Sequence, residues 1–409
     1  MTRLGLLATV LAPLWLLHAQ VKLGCEVLAA DGFKPLRGKR VALITNHTGV
    51  DSKGRSTIDA LRAAPGVKLV ALMAPEHGLT GTLPAGQEFP NGTDARTGLP
   101  LFSLYGPGPT RKPTPAMLRG IDVVVYDIQD IGVRSYTYIS TMGQAMEACG
   151  AAGVEFVVLD RPNPVGGRRV EGPMVTDAFR TFVSRWNIPY VYGLTCGELA
   201  RMINGERWIT NRCKLTVIPM TGWKRSMMWR DTGLPFVATS PNVRTPEAAL
   251  YLVATGILGE LGGVSLGLGT DSPFQCVAAP WLDGAALARQ FASYQLPGVR
   301  FTPVEFTARR GAYQNQLVKG VRFRFSDPAH APLVAINFYA LDAVKRVSKR
   351  DLFAEAVKAG KSFAMFDKVN GTDATRKALQ AGKSAAAIVA SWKAGEDAFR
   401  SRREKYLLY

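Results

Sequence analysis

The chain has 409 residues and 47% hydrophobic content, enough for two domains of ordinary globular composition. Fifty basic against 32 acidic residues give a net charge of +18. The basic residues are dispersed and no nucleic-acid recognition motif occurs, so nucleic acid is not the expected partner; an anionic cell-wall polymer is, with a merely solvated basic surface as the alternative. The five cysteines (25, 149, 196, 213, 276) form no C-x-x-C pair, and neither a disulfide framework nor a metal site is expected. Cys149 and Cys196 read as buried small hydrophobes.

In chain order, Arg3 precedes an apolar run from Leu4 to Leu17 and then His18-Ala19-Gln20. That pattern predicts a signal peptide over 1–19 and a periplasmic or secreted protein, a retained anchor being the alternative. No other run is long enough for stable membrane insertion. Four short Val/Ile/Leu runs follow, each stopping at a polar cluster. Arg40–Ile44 leads into Thr45-Asn46-His47, Val67–Met73 into Pro75-Glu76-His77-Gly78, Ile121–Tyr126 into Asp127-Ile128-Gln129-Asp130, and Val154–Leu159 into Asp160-Arg161-Pro162-Asn163. Such runs read as strands buried on both faces of a parallel sheet, whose carboxyl ends are where ligands bind.

Helix signals alternate with the strands: Ser56–Ala64 behind an N-cap serine, Ser140–Ala152 before Gly153, and a capped helix from Thr195. A further strand is expected at Leu215–Met220. The fold class is therefore α/β, a doubly wound and mainly parallel sheet. The Gly/Pro-rich stretch between Glu76 and Ile121, including Gly106–Pro109, is expected to be a lid or substrate loop. After Thr245 the rhythm changes. Arg322–Phe325 and Leu333–Phe338 alternate like half-exposed strands, and a closing helix carries Ile388, Trp392, Phe399 and Tyr406 as a packing stripe. The expected division is a sheet domain over 20–245 and a smaller α+β domain over 246–409.

No G-x-G-x-x-G or Walker loop occurs, so no nucleotide cofactor is expected. Gly263-Val264-Ser265-Leu266-Gly267 matches G-x-S-x-G with His330 downstream, but Leu268–Pro273 cannot begin the helix a nucleophile elbow requires. Glu76 beside His77 is the strongest acid candidate, because a partly desolvated carboxyl can hold a proton near neutrality; helix capping is the alternative. Glu171, in the rigid loop Asp160–Pro173, is the second carboxylate that glycoside cleavage needs, or else the ion-pair partner of Arg168 or Arg169. Arg134, Tyr136 and Tyr138 would share one face of an extended segment, an arginine suiting a carboxylate and tyrosines a sugar ring. The alternative reading makes Asp127 or Asp130 a purely structural partner of Arg134.

Taken together, Ile44–Gly49, Pro75–Gly78, Asp127–Tyr138, Asp160–Pro164, Glu171–Pro173, Ser240-Pro241-Asn242 and Tyr406–Tyr409 make the chain resemble the NamZ-like exo-β-N-acetylmuramidase family over essentially its whole length. The resemblance implies a Rossmann-like catalytic domain, a C-terminal auxiliary domain and a cleft between them. It also implies release of β-linked N-acetylmuramic acid from the non-reducing end of peptidoglycan fragments, with no cofactor. On this reading Glu76, His77 and Glu171 are catalytic. Asn46, Asp127, Gln129, Arg134, Tyr136, Tyr138, Asp160, Arg161, Asn163, Ser240, Asn242 and Thr270 bind substrate. Departures stand where relatives carry Gly-Arg-Gly-Thr and Pro-Phe-Glu: here Leu268 replaces the arginine and Gln275 the glutamate, and Tyr192 precedes Gly193 in place of a histidine. These departures leave two alternatives, a hydrolase for another amino sugar and a non-catalytic muropeptide-binding protein.

Overall fold

The computed structural model describes residues 20–106 and 111–409, so the expected signal peptide and most of the Gly106–Pro109 run lie outside the described residues. The first seven strands are β1 (Arg40–Thr45), β2 (Lys68–Ala74), β3 (Gly92–Thr93), β4 (Pro100–Ser103), β5 (Val123–Asp127), β6 (Glu155–Leu159) and β7 (Leu215–Ile218). They form one sheet in the order β3-β4-β2-β1-β5-β6-β7, parallel throughout except for the short edge strand β3. Without β3 this is the Rossmann order, and its direction reverses between β1 and β5. All five residues of β5 and the last five of β1 are buried, as strands covered on both faces must be.

Local chemistry sets the helix ends. Ser56 accepts the Ile58 N–H at the start of helix Thr57–Ala63. Thr195 and Glu198 close a reciprocal capping box on Cys196–Gly205. Tyr138–Ala152 stops at Gly153, whose φ of 69° is a left-handed turn open to glycine. The stretch expected to be a long loop after Glu76 instead supplies β3, β4 and a helical turn at Pro115–Leu118, so it completes one edge of the sheet.

The second domain holds β8 (Cys276–Ala279), β9 (Val299–Thr307) and β10 (Leu317–Phe325) in an antiparallel sheet of order β8-β10-β9. Helices Pro246–Leu261, Gly284–Ser293 and Leu333–Ser348 pack with it. The expected strand at Leu333–Phe338 is therefore corrected to the first turns of a 16-residue helix. Its run is buried almost all round, and a continuous apolar run does not separate a buried strand from a buried helix. Asn337, its one polar interruption, is satisfied internally by the Leu258 N–H and the Val253 carbonyl.

The closing helix is also corrected. Ala385–Ala390 and Lys393–Arg403 are separate helices, and Ile388 and Trp392 fill the second domain's core while Phe399 and Tyr406 fill the sheet domain's. The break lets the last residues return to the first domain. Among the described residues no helix is long and apolar enough to cross a membrane.

Candidate active site

A cavity of about 700 Å³ opens between the two domains. The sheet domain contributes the turn after β2, the segment Ser135–Tyr138 and the loop Ser240–Val243; the second domain contributes helix Pro246–Leu261, the loop Gly262–Leu268 and the β9–β10 hairpin. Six of the residues expected at the site line it: Glu76, His77, Tyr136, Tyr138, Ser240 and Asn242.

Glu76 stands one residue past Pro75 at the end of β2 and is 8% exposed. Its Oε1 accepts the Gly86 N–H at 2.7 Å and its Oε2 accepts the Thr137 hydroxyl at 2.6 Å. The Tyr105 phenol lies beside it, pushed up to about 12 by burial first and by the Glu76 charge second. His77 follows in a left-handed conformation, φ 70°, uncommon outside glycine. Its Nδ1 lies 2.7 Å from the Leu83 carbonyl, which assigns the proton to Nδ1 and leaves Nε2 as an acceptor. The loop between them is held against His47: a Cβ at Gly81 would fall 1.9 Å from that ring. Burial lowers the His47 pKa.

Tyr136 and Tyr138 meet edge to face at 4.9 Å. Their hydroxyls donate to Thr239 Oγ1 and to the Thr239 carbonyl, both at 2.9 Å, fastening the loop that carries Ser240 and Asn242. These tyrosines build the wall, and Tyr138 is too buried to offer a sugar an open ring face.

The remaining expected residues serve the fold. Asp127 pairs with Arg161, 2.9 Å from Oδ2 to Nη2, and accepts the Thr57 hydroxyl at 2.6 Å; Arg161 also donates to the Val50 carbonyl. Asp160 accepts from Thr195, Gly197 and the terminal Tyr409, and burial pushes its carboxyl up to about 6. Asn163 bridges the Leu194 carbonyl and the Val165 N–H. Asn46 accepts twice from Thr48, and Gln129 donates to the Asp130 and Pro162 carbonyls. Thr270 closes its own turn through the Gly267 carbonyl and the Ser272 N–H. Arg134 is fully buried and donates to the carbonyls of Pro173, Ile188 and Val369 and to the Ser184 hydroxyl, so it ties the domains together. None of these eight lines the cleft.

Glu171 is the main correction. It pairs with Arg169, accepts the Val334 N–H at 3.0 Å, and faces a different interdomain cavity of about 640 Å³ together with His330. The rigid loop carries it away from Glu76, and the alternative ion pair with Arg169 is what forms. His330 pairs with Asp327 on that same side, while Ser265 lines the cleft, so the serine and histidine do not meet.

Tyr105, Glu260 and Arg310 line the cavity with no motif to mark them. Thr137 lies inside the polar segment Asp127–Tyr138, which was its only signal. Glu260, in the last turn of helix Pro246–Leu261, opens onto the cavity with protein on its flanks, and this desolvation raises its carboxyl pKa.

Residues 41–247 match the family model for the N-terminal part of exo-beta-N-acetylmuramidase NamZ, and residues 250–409 match that for its C-terminal part. The chain is 40% identical over 390 residues to peptidoglycan beta-N-acetylmuramidase NamZ of Bacillus subtilis (strain 168), covering 95% of this chain and 92% of that protein. A solved DUF1343 family protein from Bacteroides fragilis NCTC 9343 superposes with a TM-score of 0.88 at 45% identity, over 95% of this chain and 99% of the other. A second from the same organism gives 0.76 at 32% identity, over 96% and 99%. The chain belongs to the exo-beta-N-acetylmuramidase NamZ family.

Proposed function

We propose that this protein is a glycoside hydrolase that removes β-linked N-acetylmuramic acid from the non-reducing end of peptidoglycan fragments. The observation that carries this reading is Glu76, oriented by Gly86 and Thr137 and facing the interdomain cleft beside His77. Glu76 acts as general acid on the glycosidic oxygen. The Thr137 hydroxyl donates to its carboxylate and accepts from its carboxylic acid form, so the contact survives proton transfer. His77, whose Nε2 has no protein partner among the described residues, tunes and exchanges that proton. The activity in the name of the Bacillus subtilis relative supports the same substrate class. We place the protein outside the cytoplasm on the pattern of residues 1–19, and its excess positive charge suits an acidic wall polymer.

Turnover of 4-nitrophenyl β-N-acetylmuraminide by the mature protein, beside the β-N-acetylglucosaminide, tests this. Release from the muraminide and little from the glucosaminide is expected. No release from the muraminide by folded protein would overturn the hydrolase reading.

A further inference from the structure

The cleft is poor in positive charge. Its charged lining consists of the acids Glu76 and Glu260 and a single guanidinium, Arg310, the only Lys or Arg among its described lining residues. An anionic sugar entering this cleft finds no attraction unless a cation meets it, and either acid repels it when ionised. The loop Gly267–Thr270 provides none, because Leu268 presents an apolar side chain to the cavity.

Arg310 lies on the hairpin between β9 and β10, which packs directly on that loop: a Cβ at Gly269 would sit 3.1 Å from Arg309 Cβ and 3.4 Å from Arg310 Cβ. The base of the hairpin is fixed. Ala308 is fully buried and bonds to Gln316, and Tyr313 accepts the Trp281 indole N–H at 2.7 Å. The Arg310 guanidinium, by contrast, makes no ion pair or hydrogen bond among the described residues and is exposed to the cavity. Arginines 134, 161 and 169 are all committed to internal acceptors. A free guanidinium carried on an anchored hairpin is available for bidentate capture of a carboxylate.

N-acetylmuramic acid differs from N-acetylglucosamine by one group, the lactyl ether with its carboxylate. We propose that Arg310 binds that carboxylate and sets the preference for the muramic sugar, taking from a neighbouring hairpin the charge that Leu268 does not supply. This rests on the muramidase reading above.

The test compares wild type, Arg310→Ala, Arg310→Lys and the neighbouring Arg309→Ala on the two chromogenic glycosides, with calorimetric binding of free N-acetylmuramic acid alongside. Arg310→Ala is expected to lower kcat/KM on the muraminide by about 10- to 100-fold, mostly through KM, with no loss on the glucosaminide. Arg310→Lys should recover part of the loss, and Arg309→Ala, outside the cavity lining, should match wild type. Arg310→Ala within twofold of wild type on the muraminide would overturn the proposal. A wild type that turns over neither glycoside yet binds N-acetylmuramic acid in an Arg310-dependent way would sink the hydrolase reading and leave this inference standing. A wild type that neither cleaves nor binds it would sink both.

Discussion

At the end of β5, Asp127 gives both oxygens to Arg161 and Thr57 and sees no solvent. At the end of β2, Glu76 also accepts two hydrogen bonds, yet it faces a cavity of about 700 Å³. Both are acids at carboxyl ends of neighbouring parts of one parallel sheet. The difference is what lies beyond the strand. Over β5 and β6 most polar side-chain atoms find protein partners, Gln129 Oε1 and Asp130 Oδ1 excepted, and the segments after β6 and the returning C-terminus cover them; over β2 the second domain stands off and leaves a cleft. Acids and arginines at strand ends thus mark where a site could be, and whether the strand end opens onto a cavity decides where it is.

The sharpest way to break this comparison is at Arg134. Removing its guanidinium orphans three buried carbonyls, one of them from Val369 in the second domain. Arg134→Met is expected to cost about 3 to 5 kcal/mol and to appear as loss of soluble protein or a large drop in Tm. A well-folded variant with only a raised KM would instead return Arg134 to the substrate site.

Gly81→Ala probes the loop that holds Glu76. The added carbon collides with the His47 ring at a backbone φ of 72°, displacing the strand of chain that ends in the Gly86 donor. A fall in kcat/KM of about 10- to 100-fold with a smaller stability loss is expected from misplacement of roughly 1 Å; unchanged kinetics would mean the loop does not orient the acid.

Asp130 separates the regions by pH. It is fully buried, accepts from Gly132 and Tyr192, and desolvation pushes its carboxyl up to about 7. Between its unfolded value and about 7 the folded protein holds a proton the unfolded chain has released. Its stabilising contribution is therefore complete in acid and lost as pH rises through about 7. Asp130→Asn should narrow the Tm gap between pH 5 and pH 8 by about 2 °C or more. An unchanged gap would show that the carboxyl is already ionised at pH 5.

The smallest effect is predicted at Ser265. This serine lines the cleft but bonds to no histidine among the described residues, so Ser265→Ala should leave kcat/KM within about twofold of wild type.

Much of the sheet domain was legible in the residues. Buried Val/Ile/Leu runs, the Ser56 cap, the Thr195–Glu198 box and Gly153 each act locally, and each sits where its chemistry placed it. Glu76 and His77 were legible for the same reason, as polar residues closing a buried strand. Helix Leu333–Ser348 was not, because its burial on nearly every side removed the periodicity that separates helix from strand. Glu171 and Arg134 were misplaced because hydrogen-bond partners hundreds of residues apart, such as Val369 for Arg134, exist only after folding. Arg310 carries no motif at all; its value comes from Leu268 across a tertiary contact.

On the proposed function, chemistry resides in the cleft and not at the Glu171 side of the interface. Measuring kcat/KM on the chromogenic muraminide for Glu76→Gln and Glu171→Gln in parallel tests it most directly. A loss of about 10³-fold or more for Glu76→Gln, with Glu171→Gln within about tenfold of wild type, is the predicted result. A severe loss for a folded Glu171→Gln beside a nearly intact Glu76→Gln would contradict it.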